Sequence, residues 1–175
     1  MKALMLSSVL LTLTACATSP APAAPALSLQ VMPNPITVGR ELKLNLTLQH
    51  EPGLWYVLLL VESPDGQVDQ LLPNRLPGGA GTLKAGQTVV FPAPEANILL
   101  KATAPAGVHT VLAYASPRPL NLEGISAYAS ESAAFATVQA NRQGVGGLEG
   151  STTAIIKLLN PGIATLAKFT VTAQP

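Results

Sequence analysis

Three side chains in the sequence are the first candidates for chemistry: the thiol of Cys16 and the imidazoles of His50 and His109. Cys16 is the only cysteine, so the chain offers it no disulfide partner. Its thiol could be modified or remain a free nucleophile. The histidines could bind zinc or copper, but such a site needs three or four nitrogen or sulfur ligands. We therefore predict no metal site. His50 and His109 are the candidate ligands under the alternative hypothesis of a metal-binding protein.

The sequence before Cys16 has the pattern of a secretory signal peptide. Met1-Lys2 gives a short positive start, and Ala3 to Ala15 is a run of apolar and small residues. As a helix this run would span about 20 Å, less than the ~30 Å hydrocarbon core of a bilayer. The residues Leu13-Thr14-Ala15-Cys16 resemble a bacterial lipobox. The resemblance implies that residues 1–15 are removed and that Cys16 becomes a lipidated first residue carrying acyl chains such as palmitate.

An ordinary cleaved signal followed by an incidental cysteine, or by a free reactive thiol, is the alternative interpretation. The position of Cys16 at the end of the apolar run favours the lipoprotein. The sequence after it, "ATSPAPAAPA", is rich in proline and alanine and is typical of an extended spacer, so residues 16–26 are predicted to be the lipidated cysteine and its tether. Ala17 follows the cysteine where some bacteria place an inner-membrane retention aspartate, so the resemblance favours the outer membrane in a cell that has one.

The composition is that of an ordered protein with few charges. Hydrophobic residues make up 48% and charged residues 11% of the chain, against about 25% charged residues in typical soluble domains. Without residues 1–15, acidic and basic residues balance, which excludes an electrostatic footprint for nucleic acid. A surface so poor in charge must be solvated by Ser, Thr, Asn and Gln or be covered in part by a partner. The length of 175 residues suits one domain.

From residue 27 onward the hydrophobic pattern predicts strands. "ELKLNLTLQ" (41–49) alternates leucine with polar residues, which is typical of a half-buried strand. "LWYVLLLV" (54–61) is apolar throughout, as in a central strand covered on both faces, and "SPDG" (63–66) is a turn that leads into "QVDQLL". Further strands are predicted at the following segments: 88–91, 97–102, 108–115, 154–159 and 163–171.

These elements predict the fold class. The alanine-rich segment around "ISAYASESAAFATVQA" is ambiguous, and one short helix is possible near residues 125–150. Seven or eight short strands at regular spacing favour an all-β protein, namely a single antiparallel β-sandwich of immunoglobulin-like shape over residues 27–175.

Several short segments in the middle of the chain are shared with a known family. They are "YVLL" (56–59), "PDG" (64–66), "LPN" (72–74), "LKAG" (83–86), "FPAP" (91–94), "APAG" (104–107) and "AYASPRPL" (113–120). In order and spacing, residues 53–122 resemble the bacterial domain of unknown function 4384. Ala104 stands where that pattern commonly has a glycine. The resemblance implies a β-rich module on envelope proteins, without an established catalytic residue.

Other motifs do not predict an enzyme. "GISAY" (124–128) lacks the second glycine of a nucleophile elbow, and "GVGGLEG" (144–150) lacks the third glycine of a dinucleotide-binding loop. We therefore predict a non-catalytic envelope lipoprotein without a cofactor. Its sandwich would act as a structural or interaction module with an envelope or surface-layer protein. The alternative hypothesis is a small envelope metal-binding protein or enzyme, with copper or zinc on His50 and His109.

Overall fold

The computed structural model describes residues 24, 26–50, 52–139 and 144–174. The predicted signal peptide 1–15, the lipidation of Cys16 and most of the tether 16–26 lie outside these residues. The described part of the chain forms eleven strands and one α-helix, α1, at Thr153–Leu159. The strands are β1 (Ala26–Met32), β2 (Ile36–Thr37), β3 (Lys43–Gln49), β4 (Leu54–Glu62), β5 (Val68–Leu72), β6 (Thr82–Lys84), β7 (Thr88–Phe91), β8 (Gly107–Ser116), β9 (Ser126–Ala127), β10 (Ala136–Val138) and β11 (Ile163–Thr172).

The strands form two sheets. Sheet A has three antiparallel strands in the order β1-β3-β7. Sheet B has the order β2-β11-β8-β4-β5-β10-β9, and β6 pairs with the first residues of β4. Its pairs are antiparallel except that β2 runs parallel to β11. The all-β sandwich predicted from the sequence is confirmed, with this one parallel pair as a departure from a purely antiparallel arrangement.

The main core lies between the two sheets. Strand β3 turns Leu44, Leu46 and Leu48 inward, as its alternation predicts, and all three are buried. Sheet B contributes the residues of one face of β4 and β8 to the same cluster. Because each fully buried leucine contributes about 1.5–3 kcal/mol, this leucine row accounts for much of the attachment of sheet A.

A second, smaller core covers the opposite face of sheet B. Leu58 and Leu60 of β4 and Leu112 of β8 pack there against Leu148 and Ile156. Leu148 belongs to a π-helical turn, Leu148–Thr152, that leads directly into α1. Strand β4 is therefore covered on both faces, which is why its sequence is apolar throughout.

Three sequence predictions need correction. Residues 154–159 were expected to form a strand but lie in α1, because Ile156 packs with Leu148 on the second face of sheet B. The short helix accordingly lies at 148–159, whereas the 125–150 region also carries β9 and β10. The strand predicted at 97–102 does not form: Asn97 is left-handed (φ 51°), and residues 100–102 share three backbone hydrogen bonds with residues 39–42 but only one isolated bridge, Glu41 to Lys101.

Candidate functional site

The two histidines lie at opposite ends of the sandwich. His50 follows β3 and is exposed, and its ring meets that of Trp55 at the start of β4 edge-on, with 5.2 Å between centroids. His109 stands at the start of β8, next to Thr110, which pairs with Glu62 at the end of β4. Nine-residue β4 is about 25 Å long at ~3.3 Å per residue. His50 and His109 therefore cannot bind the same ion.

Among the residues that the structure describes, no group of three or more His, Cys, Asp or Glu side chains is placed to hold a metal ion. Within the same residues, none of the helices has the length and apolar character needed to cross a bilayer. Trp55 is 6% exposed and belongs to the main core, as its position in the most apolar strand predicts.

A cleft of about 190 Å³ opens at the end of the sandwich that holds His109. We call it the His109 cleft. It lies between the start of β3, the segment 100–103, the β4–β5 hairpin and the paired strands β8 and β11. Its apolar lining is formed by Leu42, Leu44, Val61, Leu71, Leu100, Ala102, Val111, Phe169 and Val171, and its polar lining by Ser63, Gln67, Asp69, Lys101, Thr103 and His109.

His109 forms part of the buried floor of this cleft. Its side chain is 4% exposed and stacks on Phe169, the residue paired with it on β11, with 5.1 Å between ring centroids. The ring nitrogen Nε2 lies 3.1 Å from the carbonyl oxygen of Pro105. Since a carbonyl can only accept, Nε2 carries the proton, and in the neutral imidazole Nδ1 is then an acceptor. Nδ1 makes no hydrogen bond to any described residue.

Two of the family-like segments meet beside the cleft. The turn "SPDG" contains Ser63, whose hydroxyl donates to the Asp65 carboxylate, and the Gln67 N–H donates to the same oxygen. These bonds, the hydroxyl first, hold the pKa of Asp65 below its usual value of 3.8. A Cβ on Gly107 of "APAG" would lie 2.9 Å from Pro64, so this glycine lets the two turns approach closely.

The "LPN" segment and the glycines after it form a folded loop at a different place. Asn74 donates from Nδ2 to the Leu71 carbonyl at 2.7 Å and accepts the Leu76 N–H at 2.9 Å. A Cβ on Gly79 would lie 1.8 Å from Asn74 Oδ1. Arg75 stacks over Tyr128, 3.8 Å from its ring centroid, and donates to the carbonyls of 130 and 131. These residues therefore fix the shape of the loop.

Ser126, the serine of "GISAY", is also held by a structural contact. Its hydroxyl donates to Oε1 of Gln70, and Gln70 donates from Nε2 to the Pro73 carbonyl at 2.6 Å. Gln70 is 1% exposed, so this chain of hydrogen bonds satisfies a buried amide where β5 meets β9 and β10. No histidine lies in this network.

The outer face of sheet A is a second surface of note. The pairing register places Ser28, Thr47 and Thr88 in one row, and Gln30, Asn45 and Val90 in the next. Lys43 and Met32 pair at one end of this face, and Gln49 and Ala26 at the other. Lys43 is the only charged residue among these positions. The side chains opposite them, on the inner face of β3, are the core leucines.

The fold is thus that of a two-sheet β-sandwich module with a cleft at one end. Residues 36–119 match the family described as Domain of unknown function (DUF4384). The resemblance predicted from the sequence is confirmed, although the match begins at residue 36 rather than at 53. No curated protein and no solved structure matches the chain.

Sequence reasoning did not find the cleft. Its polar residues come from segments near 63–69, 101–103 and 109, and its apolar wall includes Phe169 from the last strand. Of the residues that line the cleft, only Phe169 and Val171 lie outside the family match. One signal was available in the two turn segments of the family pattern. "SPDG" begins with Ser63 and is followed by Gln67, and "APAG" is preceded by Thr103; all three residues line the cleft.

Proposed function

We propose that the protein is a bacterial envelope lipoprotein, anchored through acyl chains on Cys16, whose β-sandwich acts by binding another envelope protein rather than by catalysis. The lipobox-like Leu13–Cys16 and the Pro/Ala tether support the anchor. Strand β1 begins at Ala26, ten residues after Cys16. A spacer of that length reaches about 30 Å at ~3.1 Å per residue, which would hold the sandwich close to the bilayer, the outer membrane where the cell has one.

The observation that carries the interaction role is the nearly uncharged outer face of sheet A. Burying a charged side chain against a partner is costly, and the centres of protein interfaces are depleted in charge for this reason. On this face Ser28, Gln30 and Thr88 are exposed, and the Thr47 and Thr88 hydroxyls bond to each other at 2.7 Å. Rows of hydroxyl and amide groups can exchange water for a partner at little cost.

The size of this face sets the expected strength of binding. Three strands spaced ~4.8 Å apart, with seven residues at ~3.4 Å each, present roughly 350 Å². A standard interface buries about 800 Å² on each partner, so this face alone supports weak binding. Anchoring both partners in one membrane raises the effective concentration to about the millimolar range for short linkers, which compensates for weak affinity.

We do not adopt the alternative of an envelope metal-binding protein or enzyme with copper or zinc on His50 and His109. The two side chains are separated by the length of β4, so they cannot bind the same metal ion. A zinc or copper site needs three or four ligands, and each histidine supplies only one.

The anchor is tested by mass spectrometry of the protein from its native membrane. We expect a mature chain that starts at Cys16 with diacylglyceryl and acyl groups attached, and we expect Cys16→Ser to release the protein from the membrane fraction. An unmodified thiol at Cys16, or a chain that retains residues 1–15, would contradict the anchor.

The binding role is tested by cross-linking in the envelope followed by purification. Thr88→Arg introduces a charge on the outer face of sheet A, and Thr82→Arg, on exposed β6 of sheet B, is the matched control. We expect the wild type and Thr82→Arg to recover the same stoichiometric envelope protein and Thr88→Arg to lose it. Recovery of no partner by the wild type, or equal recovery by Thr88→Arg, would refute the proposal.

A further inference from the structure

The His109 cleft combines an apolar floor with a polar rim. Leu44 and Val111 are at most 2% exposed, and Phe169 is 4% exposed. The volume of about 190 Å³ exceeds that of an engineered apolar cavity of about 150 Å³ that binds benzene. A branched aliphatic group of four to six carbons would therefore fit against this floor.

The rim carries one acidic and one basic side chain. Asp69 lines the cleft from β5, and Nε2 of Gln67 donates to its two carboxylate oxygens at 3.4 and 3.3 Å. Lys101 lines the cleft from the segment 100–103 and is exposed. The backbone of Lys101 is fixed by its bridge to Glu41. The two charges therefore stand on separate, anchored segments at the mouth of one apolar cavity.

His109 adds a hydrogen-bond acceptor to this arrangement. Its Nε2–H is used by the Pro105 carbonyl, so the neutral ring can accept only at Nδ1. The ring orientation is fixed by stacking on Phe169. A buried, oriented acceptor in the cleft that the Asp69 carboxylate also lines suits a ligand group that donates several hydrogen bonds, such as an ammonium group.

We propose that the His109 cleft binds a small zwitterion with an aliphatic side chain, the chemistry of a free aliphatic amino acid. The ammonium group would bind Asp69 and Nδ1 of His109, the carboxylate would bind Lys101, and the side chain would fill the apolar floor. This site is separate from the outer face of sheet A, which we propose as the binding surface for an envelope protein. It requires neither the anchor nor a protein partner.

The proposal is tested by calorimetry on the purified lipidated chain in detergent, with three probes of one shape. L-leucine has both charges, 3-methylbutylamine lacks the carboxylate, and 4-methylpentanoate lacks the ammonium group. We expect leucine to bind at least tenfold more tightly than either analogue. No binding of leucine at millimolar concentration, or equal binding of all three probes, would overturn the proposal.

Two rim variants assign the charges. We expect Asp69→Asn to weaken leucine binding at least tenfold while binding of 4-methylpentanoate is unchanged. Lys101→Met should weaken leucine binding to a similar extent and leave 3-methylbutylamine unchanged. Glu123→Gln, the same kind of charge removal at an exposed site outside the cleft, is the control. A loss of affinity in Glu123→Gln equal to that in Asp69→Asn, or no loss in either rim variant, would refute the assignment. Unfolding curves of each variant identify any loss that comes from misfolding.

Discussion

Replacing Tyr114 with phenylalanine tests how the helix is attached to sheet B. Tyr114 lies on β8 in the second core and is fully buried, and its hydroxyl donates to the Asn160 carbonyl at 2.6 Å. Asn160 is 2% exposed and follows α1 directly, and its side-chain amide also bonds to the backbone of Asn121 and of Ile156. One hydroxyl therefore joins the central strand to the end of the helix.

The size of the effect follows from what Tyr114→Phe leaves behind. The change keeps the ring and removes only the donor, so the buried Asn160 carbonyl loses this bond. Leaving a buried acceptor unsatisfied costs about 1–3 kcal/mol. For a domain of this length, each kcal/mol lowers the melting temperature by about 2–4 °C. We therefore expect a decrease of about 4–8 °C for a loss near 2 kcal/mol.

The same residue predicts a pH dependence with a definite sign. Burial raises the pKa of Tyr114 above its usual 10.0, because the low-polarity core disfavours the phenolate. The neutral form is thus retained longer in the folded than in the unfolded chain. The stability linked to Tyr114 is fully present below pH 10 and is lost as the pH rises above it. The difference between wild type and Tyr114→Phe should therefore shrink at alkaline pH.

The assay is urea unfolding at pH 7 and at intervals above pH 10. Tyr56→Phe is the matched control, because Tyr56 lies half-buried on β4 and its hydroxyl makes no hydrogen bond to a described residue. We expect the control to lose less than about 0.5 kcal/mol, as surface changes away from such bonds do. A loss in Tyr56→Phe equal to that in Tyr114→Phe, or a difference that does not change above pH 10, would show that the Tyr114–Asn160 bond is not the cause.

Two further changes, Gly79→Ala and Asp65→Asn, test the turns of the family segment, and Gly150→Ala, outside that segment, is the control for the first. Gly79→Ala would place a Cβ 1.8 Å from Asn74 Oδ1, so the loop must break its bonds to Asn74, and denaturant unfolding should show a loss of about 1–3 kcal/mol. Gly150→Ala meets no atom within 4 Å and should be neutral or stabilise the helical turn by about 0.5–1 kcal/mol; similar losses in both variants would count against this explanation. Asp65→Asn should be less stable than wild type at neutral pH. Because the Ser63 hydroxyl bond lowers the pKa of Asp65 from 3.8, that advantage should be lost as the pH falls through the lowered pKa, and an advantage independent of pH between 5 and 2 would contradict it.

The elements that the sequence predicts well are those whose pattern reports directly on burial. The alternation in β3 and the continuous apolar run in β4 each follow from the number of faces that are covered. The turn at 63–66 was recognised because proline, aspartate and glycine each have a backbone reason to be there. In these segments one local signal determines one local structure.

The helix was not predicted because its buried residues recur with the period of a helix and not with the two-residue period of a strand. Leu148, Thr152, Ile156 and Asn160 are all buried, and they recur at every fourth position, which is the spacing of one helix face. The glycines of "GVGGLEG" and the β-branched residues of "TTAII" have low helix propensity, so the local composition argued for a loop and a strand. Packing of Ile156 and Leu148 against sheet B outweighs that preference.

The cleft could not have been predicted, because it depends on where the chain stops pairing. Residues 97–102 have a strand-like sequence, but they share only three backbone hydrogen bonds and one isolated bridge with residues 39–42 instead of extending sheet A. The space left between this segment and the start of β5 is the opening that Lys101 and Asp69 line. Hydrophobic periodicity reports which faces are buried but not whether two sheets remain in contact along their full length.

The boundaries of the family match also acquire a physical meaning. Strand β8, inside residues 36–119, pairs along nine residues with β11, and β3 pairs along seven with β1. Both partners lie outside the match. Without them β3 and β8 would each have an open edge, and the His109 cleft would lose Phe169 and Val171 from its wall. The shared segment therefore specifies the central strands and the turns around the cleft, while the flanking strands complete both sheets. Differences among family members in β11 would change the cleft wall, and differences in β1 would change one edge of the outer face of sheet A, without altering the turns.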